Sequence, residues 1–476
     1  MAKVSEKLID ELAAMPNSRL LDKEQLPTRM SERHMTPFKF FLMWMGMSVL
    51  LAVFTNAANM YPSLSMKQVI AAVAAGNLIT VITLAINGDI GITYGINFPV
   101  YLRAIFGYSG TAVPSIVRAM PACYWYGFQT WLGAEAINLI LMKLIPSWPG
   151  TYPCLLGIIV AFMIIQTLTT AQGMDGITKF ESLITPLMFV VVVYLLYFVL
   201  SHSDMTAAEI IAAPAAEHIE GTRYSFAYAV TAMTGFWATM ALNIPDLTRF
   251  LKCNPEEPNW LKRNWCSIWP QIFGMIPMMC FLAFIGAAAM FTSGQWDPIQ
   301  YIAAMDSPAW LLIVMLLLSV FAQWTSNIGA NILPPAVIFS TVFEKIDFKK
   351  GCYVATIIAF VMQPWKIADK VVTANLVVGI MLGGIAGMMI ADYYLLRKRN
   401  LNVKDFYVEG GEYTYANGWN PCAFICYIIA TGAGLLFPDL GFLTALVAGV
   451  VSYYLIMRFW GAKKYNQKSI LVNFEK

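Results

Sequence analysis

A chain of 476 residues, 58% hydrophobic and 12% charged, carries about half the charge of an ordinary soluble domain. Its 31 Lys and Arg against 28 Asp and Glu leave a net charge of +3, too little for an electrostatic grip on nucleic acid. Apolar stretches of about 20 residues, each able to cross a hydrocarbon core, recur from end to end, so the sequence encodes a polytopic α-helical membrane protein in contact with lipid.

Residues 1–36 lack an apolar core and mix both charge signs, which predicts a cytoplasmic tail and no secretory leader. Hydropathy then places twelve spans: 38–60, 67–88, 115–142, 153–172, 183–200, 224–245, 266–292, 309–335, 352–365, 372–395, 422–436 and 441–459. The intervening stretch YGINFPVYLRAIFGYSGTAVP (94–114) is half apolar and broken by Gly and Pro; it reads as a surface or re-entrant helix. With both tails inside, only Lys67, Lys143, Arg223, Lys366 and Lys370 fall in outer loops, the asymmetry that cytoplasmic ends and an even span count require. The eight Cys contain no CxxC pair, and Cys422 and Cys426 sit one helical turn apart like packing residues. Neither a disulfide framework nor a zinc site is expected.

Two spans look interrupted. The first, FFLMWMGMSVLLAVFTNAANMY (40–61), has Gly46 and Ser48 at its middle; the sixth, FAYAVTAMTGFWATMALNIP (226–245), has Thr234 and Gly235 there. They are five spans apart, an odd number, so a second five-span unit lies upside down relative to the first. Weakened spans at matching places in inverted halves point to a transporter site at the bilayer midplane. Glycine also serves plain helix packing in membranes, and the matched positions only balance that reading.

The third span, PACYWYGFQTWLGAEAINLI (121–140), sets Trp125 and Gln129 one turn apart on one face. A flat ring beside an amide suits a planar heterocycle, stacked on its face and hydrogen-bonded at its edge. Trp237 follows the break in the sixth span, and two tryptophans this deep sandwich one ring more readily than they join an interfacial belt. Glu135, the single acid deep in a predicted span, lies about 240° round the helix from Gln129, beside Trp131, and reads as a packed structural carboxyl rather than a proton relay. His34, His202 and His218 all fall outside the spans. Asp246 and Asp392, near Arg249 and Arg397, read as caps or ion pairs.

The eighth span ends FAQWTSNIGANILPP (321–335). On a helical wheel Gln323, Asn327 and Asn331 share one face, with Ala322, Thr325, Ser326 and Gly329 largely on the other. Amides suit a neutral ligand with donors and acceptors; adjacent hydroxyls beside the carbonyls of an unwound neighbour suit a dehydrated Na⁺. Interhelical hydrogen bonding is the plainer role for the same residues. The spans contain no HExxH and no Ser/His/Asp set, so an embedded enzyme is not indicated.

Taken together, LPTRMSERHMTPF (26–38), YGINFPVYLRAIFGYSG (94–110), WYGFQTWLGAEAIN (125–138), NIPDLTRF (243–250), WTSNIGANILPP (324–335), PWKI (364–367) and GIAGMMIADYYLLRKRNLNVKDFY (384–407) resemble the nucleobase:cation symporter-1 family, with hydantoin- and allantoin-type permeases most similar. The resemblance implies a leucine-transporter-type fold: inverted five-helix repeats over 37–201 and 222–396, helices 1 and 6 broken, then a cytoplasmic loop with helices 11 and 12 over 397–460 and a cytoplasmic tail over 461–476. It implies stacking by Trp125 and Trp237, and hydrogen bonds from Gln129 and Asn331. It also implies Na⁺ ligation by the carbonyls of Gly46, Val49 and Ala322 and the hydroxyls of Thr325 and Ser326. Two positions depart from the hydantoin-type pattern: Leu50 stands where glutamine is usual, and Phe236 where a small residue is. The expected activity is import of a neutral planar nitrogen heterocycle by cation symport through alternating access across a cell membrane, such as a bacterial inner membrane. Na⁺ is the expected coupling ion and H⁺ the alternative, with no organic cofactor and no obligate protein partner. An amino-acid transporter of the same fold is the rival ligand class.

Overall fold

The computed structural model describes residues 4–16, 20–21, 25–201, 203, 205–217, 223–304 and 308–474. His202 and His218 lie outside the described residues. Among those described, helices account for all regular structure apart from two isolated bridges, Met35 to Leu251 and Ala416 to Trp419.

Every predicted span has its helix. The first is split into Pro37–Ser48 and Leu51–Met60, bent by 54°. The second to fifth are Met66–Tyr94, Ala112–Leu144, Tyr152–Thr170 and Met174–Ser201. The sixth is split into Phe226–Phe236 and Ala238–Asn243, and the seventh is Trp260–Ser293. The eighth runs Ala309–Ser326, Asn327–Ile332 and Leu333–Val342; the ninth is Phe348–Met362. The tenth is Val371–Ile390 continued by Ala391–Leu396, the eleventh Pro421–Leu436, and the twelfth Gly441–Ile456 continued by Met457–Gly461. Caps explain several starts. Ser65 and Gln68 close a capping box on the second span, and Thr36 and Ser225 accept from the third helical amide of the first and sixth. The second span runs on to Tyr94, ending at Gly95 in the left-handed conformation (φ 69°). That extension brings Asp89 inside the protein, paired with Arg263 at 2.8 Å, so Glu135 is not the only acid deep in a span.

Two groups of spans each pack among themselves. In one, Asn87 of the second span donates to the Ala241 carbonyl of the sixth at 2.8 Å, and Arg263 of the seventh reaches Asp89 of the second. The seventh also meets the first so closely that a Cβ on Gly286 would stand 2.3 Å from the Phe54 carbonyl oxygen. In the other group, Tyr126 of the third span donates to Met163 of the fourth at 2.9 Å, Asn327 of the eighth to Gln166 of the fourth at 2.7 Å, and Thr167 pairs with Thr356 of the ninth at 2.6 Å. Spans 1, 2, 6 and 7 thus form one body and spans 3, 4, 8 and 9 another.

Both described ends of the chain lie on one face. Arg103 donates to the carbonyls of Leu20 and Phe406 at 2.8 and 2.7 Å, while Arg397 reaches Ala104, Gln467 and Asp392 at 3.2, 3.0 and 2.9 Å. The N-terminal segment carries a helix, Glu6–Ala14, but is packed on the body rather than standing off as the soluble tail its polarity predicts. Thr28 bonds to Gly95, the carbonyl of Gln25 accepts from Tyr407, and the Gln25 amide donates to Ser340 of the eighth span. Met35 pairs through its backbone with Phe250 and Lys252, just past the sixth span, and Arg29 ties back to Glu6 and Asp10. Arg33 donates to Ile92 at 2.6 Å from a buried position, and burial pushes its guanidinium down to about 10. Enough neutral side chains and carbonyls meet here to fold a polar segment against the body.

Of three further expectations, two change and one holds. Of the surface or re-entrant helix expected at 94–114, the surface form fails: Phe98–Tyr101 and Arg103–Phe106 are single buried turns, the first capped by Asn97 and by Asp246, which accepts from the Phe98 amide at 2.8 Å. Asp246 is a cap, and Asp392 forms an ion pair with Arg397, the two roles expected of these residues. Cys253 and Cys266 are joined by a disulfide across 13 residues, between the segment after the sixth span and the first turns of the seventh, a pairing that spacing alone does not announce.

Candidate functional site

The sixth span breaks at Trp237, whose φ and ψ of −102° and 6° end one helix and begin the next. The first breaks at Val49 and Leu50, where Leu50 is extended (φ −115°, ψ 119°). The third stays continuous through Pro121 and holds Trp125 and Gln129 on one face. In the eighth, Pro334 and Pro335 cannot donate hydrogen bonds, and the backbone before them winds as a π-helix, with Leu333 bonding five residues back to Ile328. Such turns re-aim side chains.

These four spans enclose one buried cavity. Leu50, Phe236, Trp237, Thr239 and Met240 line it from the first body; Trp125, Gln129, Ser326, Ala330 and Asn331 line it from the second. All six residues singled out for ligand binding are among them. The side chains leave about 20 Å³ between them, room for one or two water molecules. Phe236 contacts both indoles: its ring centroid lies 5.2 Å from that of Trp125 and 5.8 Å from that of Trp237, edge-on to both. Trp237 is held from behind by Trp44, 5.5 Å away.

The polar atoms are arranged unevenly. Asn331 donates its amide to Asn327 at 2.9 Å, leaving its carbonyl oxygen for the cavity. Asn327 in turn donates to Gln166, Thr130 and the Tyr126 carbonyl at 2.7, 3.2 and 3.3 Å. Gln129 Oε1, Trp237 Nε1 and Ser326 Oγ are buried without partners, a costly condition unless a ligand or ion completes them. The amide face that the wheel proposes on the eighth span stays linked from Asn331 to Asn327, but its three members have different surroundings. Asn331 faces the cavity, Asn327 faces the third and fourth spans, and Gln323 is buried beside Gly133 with neither amide atom paired.

The residues proposed for an ion fall on both bodies. Gly46 and Val49 end the first half-helix, where the Val49 amide bonds back to Gly46 at 3.2 Å. Across from them, Thr325 donates to the Ala322 carbonyl at 3.0 Å, and the Ser326 hydroxyl is free. The two elements touch where Gly329 meets Met47 and Met43. Every donor is a neutral oxygen, and no cluster of three His, Cys, Asp or Glu occurs among the described residues. Such a set fits a hard monovalent cation better than a transition metal.

Thr239, Met240, Ala330 and Trp44 were not singled out by sequence reasoning. The first two lie within one turn of Trp237 and are legible once the break is fixed. Glu135 does not line the cavity, and its Oε2 is buried without a partner. The tenth span packs on the sixth beside the site, where Gly379 meets Gly235.

Residues 27–460 match the family described as permeases for cytosine/purines, uracil, thiamine and allantoin. The hydantoin permease of Microbacterium maritypicum is 32% identical over 94% of this chain and 90% of its own. The allantoin permease of Bacillus subtilis (strain 168) is 29% identical over 93% and 94%. The solved structure of MHP1, a nucleobase-cation-symport-1 family transporter in a closed conformation with bromovinylhydantoin bound, superposes with a TM-score of 0.87 at 31% identity, covering 94% of this chain and all of that one. A match that begins before the first span and ends with the last makes this chain a member of the nucleobase:cation symporter-1 family of membrane transporters.

Proposed function

We propose that the protein imports a neutral, planar nitrogen heterocycle of the hydantoin, allantoin or nucleobase class, coupled to Na⁺. The reading is carried by one observation: aromatic faces from two separate bodies meet the unpaired Gln129 Oε1 and the Asn331 side chain at a single buried cavity, and the Ser326 hydroxyl borders it on the ion side. The ligand stacks between Trp125 and Trp237 once the Phe236 ring swings aside, and bonds to Gln129 and Asn331. Na⁺ is held by the carbonyls of Gly46, Val49 and Ala322 and the hydroxyls of Thr325 and Ser326, with Thr325 turning from the Ala322 carbonyl to accept the ion. Because the ion ligands belong to both bodies, Na⁺ favours the state in which the first and eighth spans lie together. Such preference is what couples ion to ligand, since equal affinity for both states shifts nothing. The face bearing both termini faces the cytoplasm, in keeping with its Lys and Arg. The two broken spans head inverted five-span repeats.

Tryptophan fluorescence of the purified protein tests the reading. Saturable quenching is expected with benzyl- or indolyl-substituted hydantoins, allantoin, uracil or cytosine, and tighter binding in Na⁺ than in choline. Absence of quenching by the whole panel overturns the ligand class; quenching indifferent to Na⁺ overturns the ion.

A further inference from the structure

Arg118 lies on the third span seven residues before Trp125, about 10 Å nearer the face that carries the termini and on the same side of the helix. It is fully buried. Its Nε donates to Asn243 Oδ1 at 2.8 Å and to the Thr239 carbonyl at 3.2 Å; its Nη2 donates to Asn243 Oδ1 at 2.5 Å and lies 3.9 Å from Met240 Sδ. Nη1 has no partner. Asp246 enters one step removed, through Asn243 Nδ2 at 3.3 Å.

The contact runs between bodies. Arg118 belongs to the third span; Thr239, Met240 and Asn243 belong to the short second half of the sixth. Thr239 and Met240 also line the cavity, so the segment that Arg118 grips is the wall between the ligand space and the termini-bearing face. Within its own body the same half-helix is secured separately, by Asn87 on the Ala241 carbonyl. The two bodies therefore cannot part on this side without breaking the Arg118 contacts. Neutral acceptors hold the guanidinium, in contrast to the ion pairs Asp89–Arg263 and Asp392–Arg397. A buried cation held this way, with one nitrogen unmatched, is secured less firmly than one facing a carboxylate.

We propose that Arg118, gripping Asn243 and the Thr239 carbonyl, is the inner gate of the transport path: it keeps the cavity closed toward the termini-bearing face and is released when the ligand leaves. It acts as a positioning residue on the sixth span rather than as a ligand contact.

The test uses the full chain in membrane vesicles, carrying Ala330→Cys as the reporting thiol in an otherwise cysteine-free background, with no ligand present. A membrane-impermeant maleimide applied from the termini-bearing face should label Arg118→Ala about tenfold faster than the parent, through a shift of the closed population toward the inward-open one. Labelling from the opposite face should slow. Asn243→Ala should reproduce the pattern, and Arg118→Lys should fall between. A purely structural role would lower stability without favouring one face. Unchanged labelling in a folded, monodisperse Arg118→Ala overturns the gate; if that variant does not fold, Asn243→Ala decides by the same criterion. The readout needs no ligand, so it stands or falls apart from the substrate assignment.

Discussion

The Phe236 ring stands 5.2 Å from that of Trp125 and edge-on to it, in the cavity proposed for a flat ligand. Replacing it with alanine removes the filling without touching either indole. Phe236→Ala should bind bulky 5-substituted hydantoins at least tenfold more tightly relative to uracil than the parent does, since hydrophobic pockets discriminate by about 1–3 kcal/mol for small changes of fit. Competition for tryptophan quenching by the two ligands measures the ratio.

Asn331 reaches the cavity with its amide held by Asn327. Asn331→Ala and Gln129→Ala should each abolish saturable uptake while leaving expression and monodispersity intact. Asn327→Ala should weaken binding less. In a double-mutant cycle Asn327 and Asn331 should couple by about 0.5–3 kcal/mol, as expected for residues in one network. Additive losses would separate Asn327 from ligand positioning.

Thr325 and Ser326 carry the hydroxyls beside the Ala322 carbonyl. With both changed to alanine, ligand affinity should become the same in Na⁺ and choline, close to the parent's value in choline. Titrating quenching at several Na⁺ concentrations checks this, and a retained Na⁺ slope would move the ion elsewhere.

Glu135 lies outside the cavity lining. Glu135→Gln should leave the Na⁺ dependence and the pH profile of uptake unchanged. Loss of pH dependence in that variant alone would make it a proton carrier.

Asp392 and Arg397 are both fully buried at 2.9 Å, with Tyr101 and Tyr453 donating to the carboxylate. Asp392→Asn removes one of two buried counter-charges on the guanidinium and leaves Glu412 at 3.2 Å, so the loss should fall below the about 3–5 kcal/mol typical of a fully uncompensated buried charge. A fall of several degrees in the unfolding temperature in detergent is the expected result, with ligand affinity at the parent's level in the folded fraction.

Much of this architecture is legible in the residues. Hydropathy finds all twelve helices, because a bilayer demands long apolar runs whatever their neighbours. Trp125 and Gln129 are found by helical spacing, and Trp237 by its place after Thr234 and Gly235. What spacing misses depends on backbone irregularity or on partners far along the chain. The wheel groups Asn327 with Asn331, and their side chains do meet at 2.9 Å, but it cannot say that only Asn331 reaches the cavity while Asn327 turns to the third and fourth spans. The direction of Phe236 hangs on the torsions at Trp237. Arg118 reads as one more inner-loop charge until the sixth span closes over it. Asp89 is hidden by a helix that outlasts its apolar stretch.

The woven N-terminal segment makes the early chain a messenger of the transport cycle. Residues 25–36 are stitched to Ser340 in one body and to Phe250 and Lys252 beside the other, so a movement of one body against the other is expected to strain these bonds and to reach the amphipathic helix Glu6–Ala14 through Arg29. An antibody fragment raised against that helix would then sense from outside the bilayer which way the permease is open, and a truncation at residue 36 would cut a tether rather than trim a loose end.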